Sequence, residues 1–207
     1  MSTVHGELIT GDNFMADEGV QLAYLSGRCP DRQLVIGAGA AIRSGSVVYA
    51  GTSIGADFTT GHNVIVREEC SIGDDVSIWS NTIIDYGCTI GNRVKIHSNC
   101  YVAQFTIIED GAFLAPGVSI ANDLYPGDDQ SAEKMAGPII GAGAQIGVNS
   151  TLLPYVRIGA GAIIGSGSVV SRDIPDGMVA FGNPARVHRP VSELPDIDLR
   201  VPEDFRR

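Results

Sequence analysis

An aliphatic residue recurs at every sixth position through most of this chain. From Ile36 the series runs Ile42, Val48, Ile54, Thr60, Val66, Ile72, Ile78, Ile84, Ile90, Ile96, Val102, Ile108, Leu114 and Ile120, and only Thr60 departs from it. Four residues after each comes a smaller one, among them Ala40, Ser46, Thr52, Val64, Cys70, Thr82, Cys88 and Cys100, with Gly, Asp, Asn and Glu between the two series. Those intervening types are turn residues. A period of six fits neither an amphipathic helix nor a lone alternating strand. It fits a short strand and a corner repeated around a triangle. Three hexads make one coil, so residues eighteen apart stack. The count gives about seven coils, and at the ~4.8 Å spacing of neighbouring strands such a prism stands about 34 Å tall.

The series breaks once, at "SIANDLYPGDDQSAEKMAGPIIG" over 119–141, and resumes as Ile140, Ile146, Leu152, Ile158, Ile164 and Val170. Twenty residues separate Ile120 from Ile140, fourteen more than a hexad uses. A loop of that length is expected to reach a neighbouring subunit and wall a site there, since loops on rigid scaffolds carry function. The expected organisation is an N-terminal extension over 1–33, a β-helical domain over 34–190 with its loop at 124–139, and a C-terminal tail over 191–207. The two ends carry no readable motif and are expected to cap the prism.

Composition narrows the function classes. The 207 residues carry a formal net charge of −10, which disfavours a nucleic-acid surface. The start "MSTVHGELIT" lacks the pattern of a signal peptide, and no run is apolar enough to span a membrane, so a cytoplasmic enzyme without a membrane partner is expected. Cys70, Cys88 and Cys100 fall in the small inward series and read as core residues of a reducing compartment. Charge is uneven: residues 34–139 hold five basic and twelve acidic side chains, whereas 140–190 hold Arg157, Arg172, Arg186 and Arg189 against Asp173 and Asp176. A local Arg cluster suits a phosphorylated cofactor.

The eighteen-residue stack indexes the corners. One edge carries Gly61-His62-Asn63, Trp79-Ser80-Asn81, His97-Ser98-Asn99 and Ala115-Pro116-Gly117. The next carries Arg67-Glu68-Glu69, Asp85-Tyr86-Gly87, Ala103-Gln104-Phe105 and Ala121-Asn122-Asp123, and the loop leaves from its top. The third shows ordinary turn chemistry. Asn at the third corner position answers a demand for positive φ.

The repeats "IGAGAA", "SIGDDVSIWSNT", "TIGNRVKI" and "RIGAGAIIGSGSVV" resemble the hexapeptide-repeat acyltransferases, which implies an all-β fold, a left-handed parallel β-helix, over about 36–190. "SGSVVSRDIPDGMVAFGNPARVHR" is similar to that family's closing motif. The resemblance implies coenzyme A contacts at Ser166, Ser171, Arg172 and Arg186, with Ser171-Arg172 standing where Thr-Lys is usual. "VKIHSNCYV" and "LAPGVSIANDLYP" resemble the paired signature of bacterial nucleotide-sugar N-acetyltransferases. His97 departs there from the usual Gln and Ala121 from the usual Thr.

The resemblance implies transfer of an acetyl group from acetyl-CoA to an amino sugar, in a groove shared within a homotrimer, with no metal. Asn99, His97 and Asp123 are the expected catalytic residues; Asn122, Tyr125, His62, Trp79 and Asn81 are expected to bind substrate. In related O-acetyltransferases a His precedes the loop Pro; here Tyr125 precedes Pro126. A hydroxyl needs a positioned base, whereas an amine with a pKa near ~8 is already partly free at neutral pH, so the missing His favours an amine. O-acetylation or a longer acyl chain is the alternative. Two readings from other classes are weaker. A γ-class carbonic anhydrase needs three His around zinc, and no third joins His62 and His97; a non-catalytic scaffold would fail to bind coenzyme A.

Overall fold

The computed structural model describes residues 1–195; of the tail expected over 191–207, residues 196–207 lie outside the described residues. Three sheets of nine, eight and ten strands form the molecule. Most strands are two residues long, because a hexad leaves room for little more before its turn. Ile78 pairs with Ile96 on the ten-strand sheet, Ile84 with Val102 on the nine-strand sheet, and Ile72 with Ile90 on the eight-strand sheet. The register is the expected eighteen. The periodic aliphatics and the small series pack into one continuous buried core, each large aliphatic contributing about 1.5–3 kcal/mol.

Polar members of the small series are satisfied one coil further on. Thr82 Oγ1 donates to the carbonyl of His97 and Thr52 Oγ1 to that of Arg67, both at 2.8 Å. The Cys88 and Cys100 thiols donate to the carbonyls of Ala103 and Ala115 at 3.2 and 3.3 Å. All four cysteines are free. The neighbouring Cys70 thiol and burial hold Cys88 far above the ordinary thiol range. At the corners, Asn63, Asn81 and Asn99 sit at φ 57°, 60° and 61°, a region that L residues other than Asn, Asp and Gly seldom enter.

The chain makes more coils than the expected seven. Residues 1–33, expected as an extension, add strands to all three sheets: Thr3 pairs with Gln21, Glu7 with Gln33, and Met15 with Ala41. The hexad series continues there as Val4, Thr10, Ala16 and Leu22, but Leu22 and Ile36 are fourteen apart. Eight extra residues throw the period out of phase and hide the first coils from a count started at Ile36. The later break behaves as expected, since Ile108 pairs with Ile140, fourteen residues beyond the eighteen-residue register. At the far end, Met178–Gly182 and Ala185–Pro190 form an antiparallel hairpin on the ten-strand sheet. Among the described residues no helix is long and apolar enough to cross a membrane.

Candidate active site

The first edge joins the ten-strand sheet to the nine-strand sheet. Trp79 and His97, eighteen apart, stack with centroids 4.8 Å apart and planes 5° apart, and Phe113 meets His97 edge-on at 6.5 Å. The Ser98 backbone N–H donates to His97 Nδ1 at 3.0 Å. A neutral imidazole that accepts at Nδ1 carries its proton on Nε2, so His97 offers a donor. Asn99 is exposed, and its side chain makes no hydrogen bond among the described residues. Asn81 Oδ1 accepts from Asn63 Nδ2 at 3.3 Å. His62 Nδ1 bonds Ser44 Oγ at 2.8 Å and sits at the middle corner position, without contact to His97. Below Trp79, a hollow of about 170 Å³ is lined by Thr59, Thr60, Gly61 and Ser77.

Above His97 the first corner position shrinks to Ala115, Gly147 and Gly165. The missing side chains leave a groove of about 330 Å³, lined by Phe113, Ala115, Gln145, Gly147, Gly165 and Ser166. A Cβ on Gly165 would stand 2.7 Å from that of Phe181, so glycine is needed for the hairpin to close on this corner. Phe181 in turn stacks on His188 at 3.6 Å. Ser166 thus lines the groove, Arg186 lies on the same hairpin, and Ser171 and Arg172 follow strand Val169–Val170 as exposed residues. Arg186 donates to the carbonyl of Ala185 at 3.0 Å. Neither Arg172 nor Arg186 joins an ion pair among the described residues. Arg186 is carried by the hairpin that closes on this corner, whereas Arg172 follows the nine-strand sheet onto the second edge, outside the lining of this groove.

The second edge is unlike the first. Glu68 is 0% exposed and Asp85 6%. Arg67 grips Glu68 through two bonds of 2.8 and 3.0 Å and lies 3.6 Å from Asp85. Burial alone raises the Glu68 carboxyl, yet the bonds from Arg67 and Ser26 hold it below the usual carboxylate range. Asp85 accepts from Tyr101 Oη at 2.8 Å; burial and that bond push the phenol up to about 12. Gln104 Nε2 also donates to Asp85, and Asn122 Nδ2 donates to Gln104 Oε1 at 2.7 Å. Both excursions from the hexad series leave at this edge. Ser26 and Arg28, in the earlier one, reach Glu68 at 2.8 and 3.6 Å.

The loop itself stands out from the prism. Its only helical turn is Ser131–Lys134, and Tyr125 is 72% exposed. Asp123 accepts from the Tyr125 N–H at 2.8 Å and from Ser131 Oγ. The Tyr155 hydroxyl donates to the Lys134 carbonyl. A cavity of about 130 Å³ lies between Asp123, Leu124, Tyr125, Lys134 and Tyr155.

The expected site residues therefore fall into two groups. His62, Trp79, Asn81, His97 and Asn99 share one edge with the groove that reaches Ser166, while Asn122, Asp123 and Tyr125 occupy the next edge and its loop. No hydrogen bond, stack or ion pair joins the groups among the described residues. Asp123, expected as a catalytic residue, accepts from Ser131 Oγ within the loop. Sequence reasoning passed over Phe113, Glu68, Asp85 and Gln104. The available signal was that Arg67 and Asp85 are eighteen apart, which stacks opposite charges.

Residues 51–85, 87–122 and 137–172, just over half of the chain, match the bacterial transferase hexapeptide (six repeats) family, and 69–104 match the hexapeptide repeat of succinyl-transferase. Serine acetyltransferase 2 of Arabidopsis thaliana is 37% identical over 98 residues, 47% of this chain and 30% of its own. The dTDP-3-amino-3,6-dideoxy-alpha-D-galactopyranose 3-N-acetyltransferase of Aneurinibacillus thermoaerophilus is 49% identical over 55 residues, 27% of this chain and 29% of its own. These matches span less than a third of either relative. Among solved structures, the UDP-N-acetylglucosamine acyltransferase LpxA of Bacteroides fragilis aligns over 90% of this chain and 72% of its own, with a TM-score of 0.58 at 21% identity, a likeness of fold. With the family's repeats across both stretches flanking the loop, and stacked parallel strands that fit a left-handed β-helix, the chain belongs to the hexapeptide-repeat acyltransferases.

Proposed function

We propose that this protein transfers an acetyl group to the amine of a nucleotide-linked amino sugar, in a groove shared between copies of a homotrimer. The bond from the Ser98 N–H to His97 Nδ1 carries this reading. A proton could be taken at Nε2 only by the tautomer with hydrogen on Nδ1, and that hydrogen would point at the Ser98 N–H. His97 is therefore a donor on its open side and not a base for a hydroxyl acceptor. An amine near neutral pH is partly free already and needs no such base.

Acetyl-coenzyme A supplies the activated acetyl thioester. Ser166 and the groove above His97 are suited to its slender arm, and Arg172 and Arg186 to its phosphates. In this reading His97 Nε2–H and the Asn99 amide supply the donors that steady a developing oxyanion. The division of the site over two edges favours assembly, because a neighbour's loop with Asn122, Asp123 and Tyr125 would complete the first edge of the next copy. The relative from Aneurinibacillus, whose name specifies an amino sugar, supports the amine class. The Arabidopsis relative acts on serine by its name and favours a second reading, a different small acceptor on the same groove.

Thiol release from acetyl-CoA, measured against nucleotide-linked amino sugars, their hydroxy counterparts and serine, tests the proposal. Turnover with an amino sugar is expected. Turnover with a hydroxy sugar or serine alone would overturn it.

A further inference from the structure

We infer that Asp85 and Gln104 are positioning residues that set the direction of the Asn122 side-chain amide and so turn its oxygen toward the acceptor. This rests on the acyltransfer proposed above and assigns a job to two residues outside the expected site. The chemistry runs in one direction. The Asp85 carboxylate can only accept, and it already receives the Tyr101 hydroxyl at 2.8 Å and the Tyr86 N–H at 2.8 Å. Gln104 must therefore turn its NH₂ toward Asp85, which leaves Oε1 facing the next coil. That oxygen in turn requires a donor, and Asn122 Nδ2 supplies it at 2.7 Å. An amide can be satisfied either way round in isolation; a fixed acceptor at the base of the stack removes the choice.

The stack is anchored below and clamped above. Arg67, itself locked on fully buried Glu68, approaches Asp85 at 3.6 Å. At the top, the returning limb of the loop donates from the Ala136 N–H to the Asn122 carbonyl at 3.0 Å, and Gly137 passes so close that a Cβ would stand 2.5 Å from Thr106 N. With the main chain held and Nδ2 spent on Gln104, Asn122 Oδ1 is left without a donor among the described residues. An acceptor oxygen at the root of the loop suits a substrate group that brings N–H or O–H. It would take one hydrogen of an attacking amine and leave the lone pair directed elsewhere.

The closing experiment has a binding-free arm and a kinetic arm. In the substrate-free protein, the Asn122 side-chain NH₂ signal should show a slowly exchanging, hydrogen-bonded proton that is lost in Gln104→Met, and also in Asp85→Asn, whose amide can face either way. An unchanged signal in both variants sinks the relay, whatever the reaction proves to be. In turnover, Gln104→Met should raise the acceptor KM about tenfold, the effect of one hydrogen bond, and lower kcat, with the acetyl-CoA KM unchanged. Adding Asn122→Asp, which presents oxygen from either side, should recover most of that loss. A Gln104→Met enzyme that is impaired but not rescued would mark Gln104 as merely structural and overturn the inference. Absence of thiol release by the wild type with every amino sugar would instead defeat the functional proposal, while the NH₂ signal still judges the relay.

Discussion

The Ser98 backbone N–H donates to Nδ1 of His97 at 3.0 Å, and the opposite nitrogen of that ring is left as a donor beside the groove. His97→Gln keeps a side-chain N–H and should stay within about tenfold of wild type, whereas His97→Ala and Asn99→Ala should each lose about two to three orders of magnitude as oxyanion donors. The His97→Gln rate should climb with pH through roughly 8, where the amine substrate itself loses its proton. A fall of a hundredfold or more in the Gln variant would make His97 the general base. Tyr125→Phe should keep most activity, because no proton transfer is assigned to its hydroxyl.

Removing residues 124–135 tests the loop. The deletion leaves seven residues between Ile120 and Ile140, two more than a hexad uses, so the coil can close. The buried ladders lie elsewhere, and the melting temperature and oligomeric state should be kept while transfer falls by more than a hundredfold. A deletion variant with undiminished turnover would place the acceptor site away from the loop.

Arg172→Ala and Arg186→Ala address the cofactor end. Each should weaken coenzyme A by about 1.5–3 kcal/mol if its guanidinium bonds a phosphate, and titration calorimetry with dephospho-CoA should show a smaller gap between wild type and the variant that lost the 3′-phosphate contact. Equal dissociation constants for wild type and both variants would move the cofactor elsewhere.

The buried pair on the second edge predicts a pH-dependent stability. Glu68 titrates below its ordinary 4.5 in the folded protein, so its contribution is full above that value and fades as pH falls through the folded pKa. Glu68→Gln should cost about 1–3 kcal/mol at pH 7. Urea unfolding of wild type and variant should converge below pH 4.5. A constant gap down to acid pH would show that shape, not charge, is what Glu68 provides.

The prism was legible because its core rule is short-range. An aliphatic at every sixth residue must meet its own repeat one coil later, and Ile78, Ile96 and Leu114 do so without reference to anything else in the chain. The fourteen extra residues before Ile140 and the grouping of Trp79, His97 and the Asn column on one edge followed from the same count.

Counting failed where phase was lost. The coils built from residues 1–33 obey the hexad rule, but the eight-residue insertion between Leu22 and Ile36 separates them from the main series. A period also fixes which corner a residue occupies and not what its side chain bonds. The eighteen-residue index put Asp85 and Gln104 on one edge without a role, and only the folded stack shows Arg67, Tyr101 and Asn122 arriving around them. The same holds for His97: the sequence places an imidazole at the corner, but the Ser98 N–H that decides which nitrogen carries the proton is set by the local turn of the backbone. The sequence alone determined the repeating core, because burial acts on residue type at fixed spacing. Tertiary structure decided the polar partners, because a hydrogen bond depends on the direction in which each group is finally held.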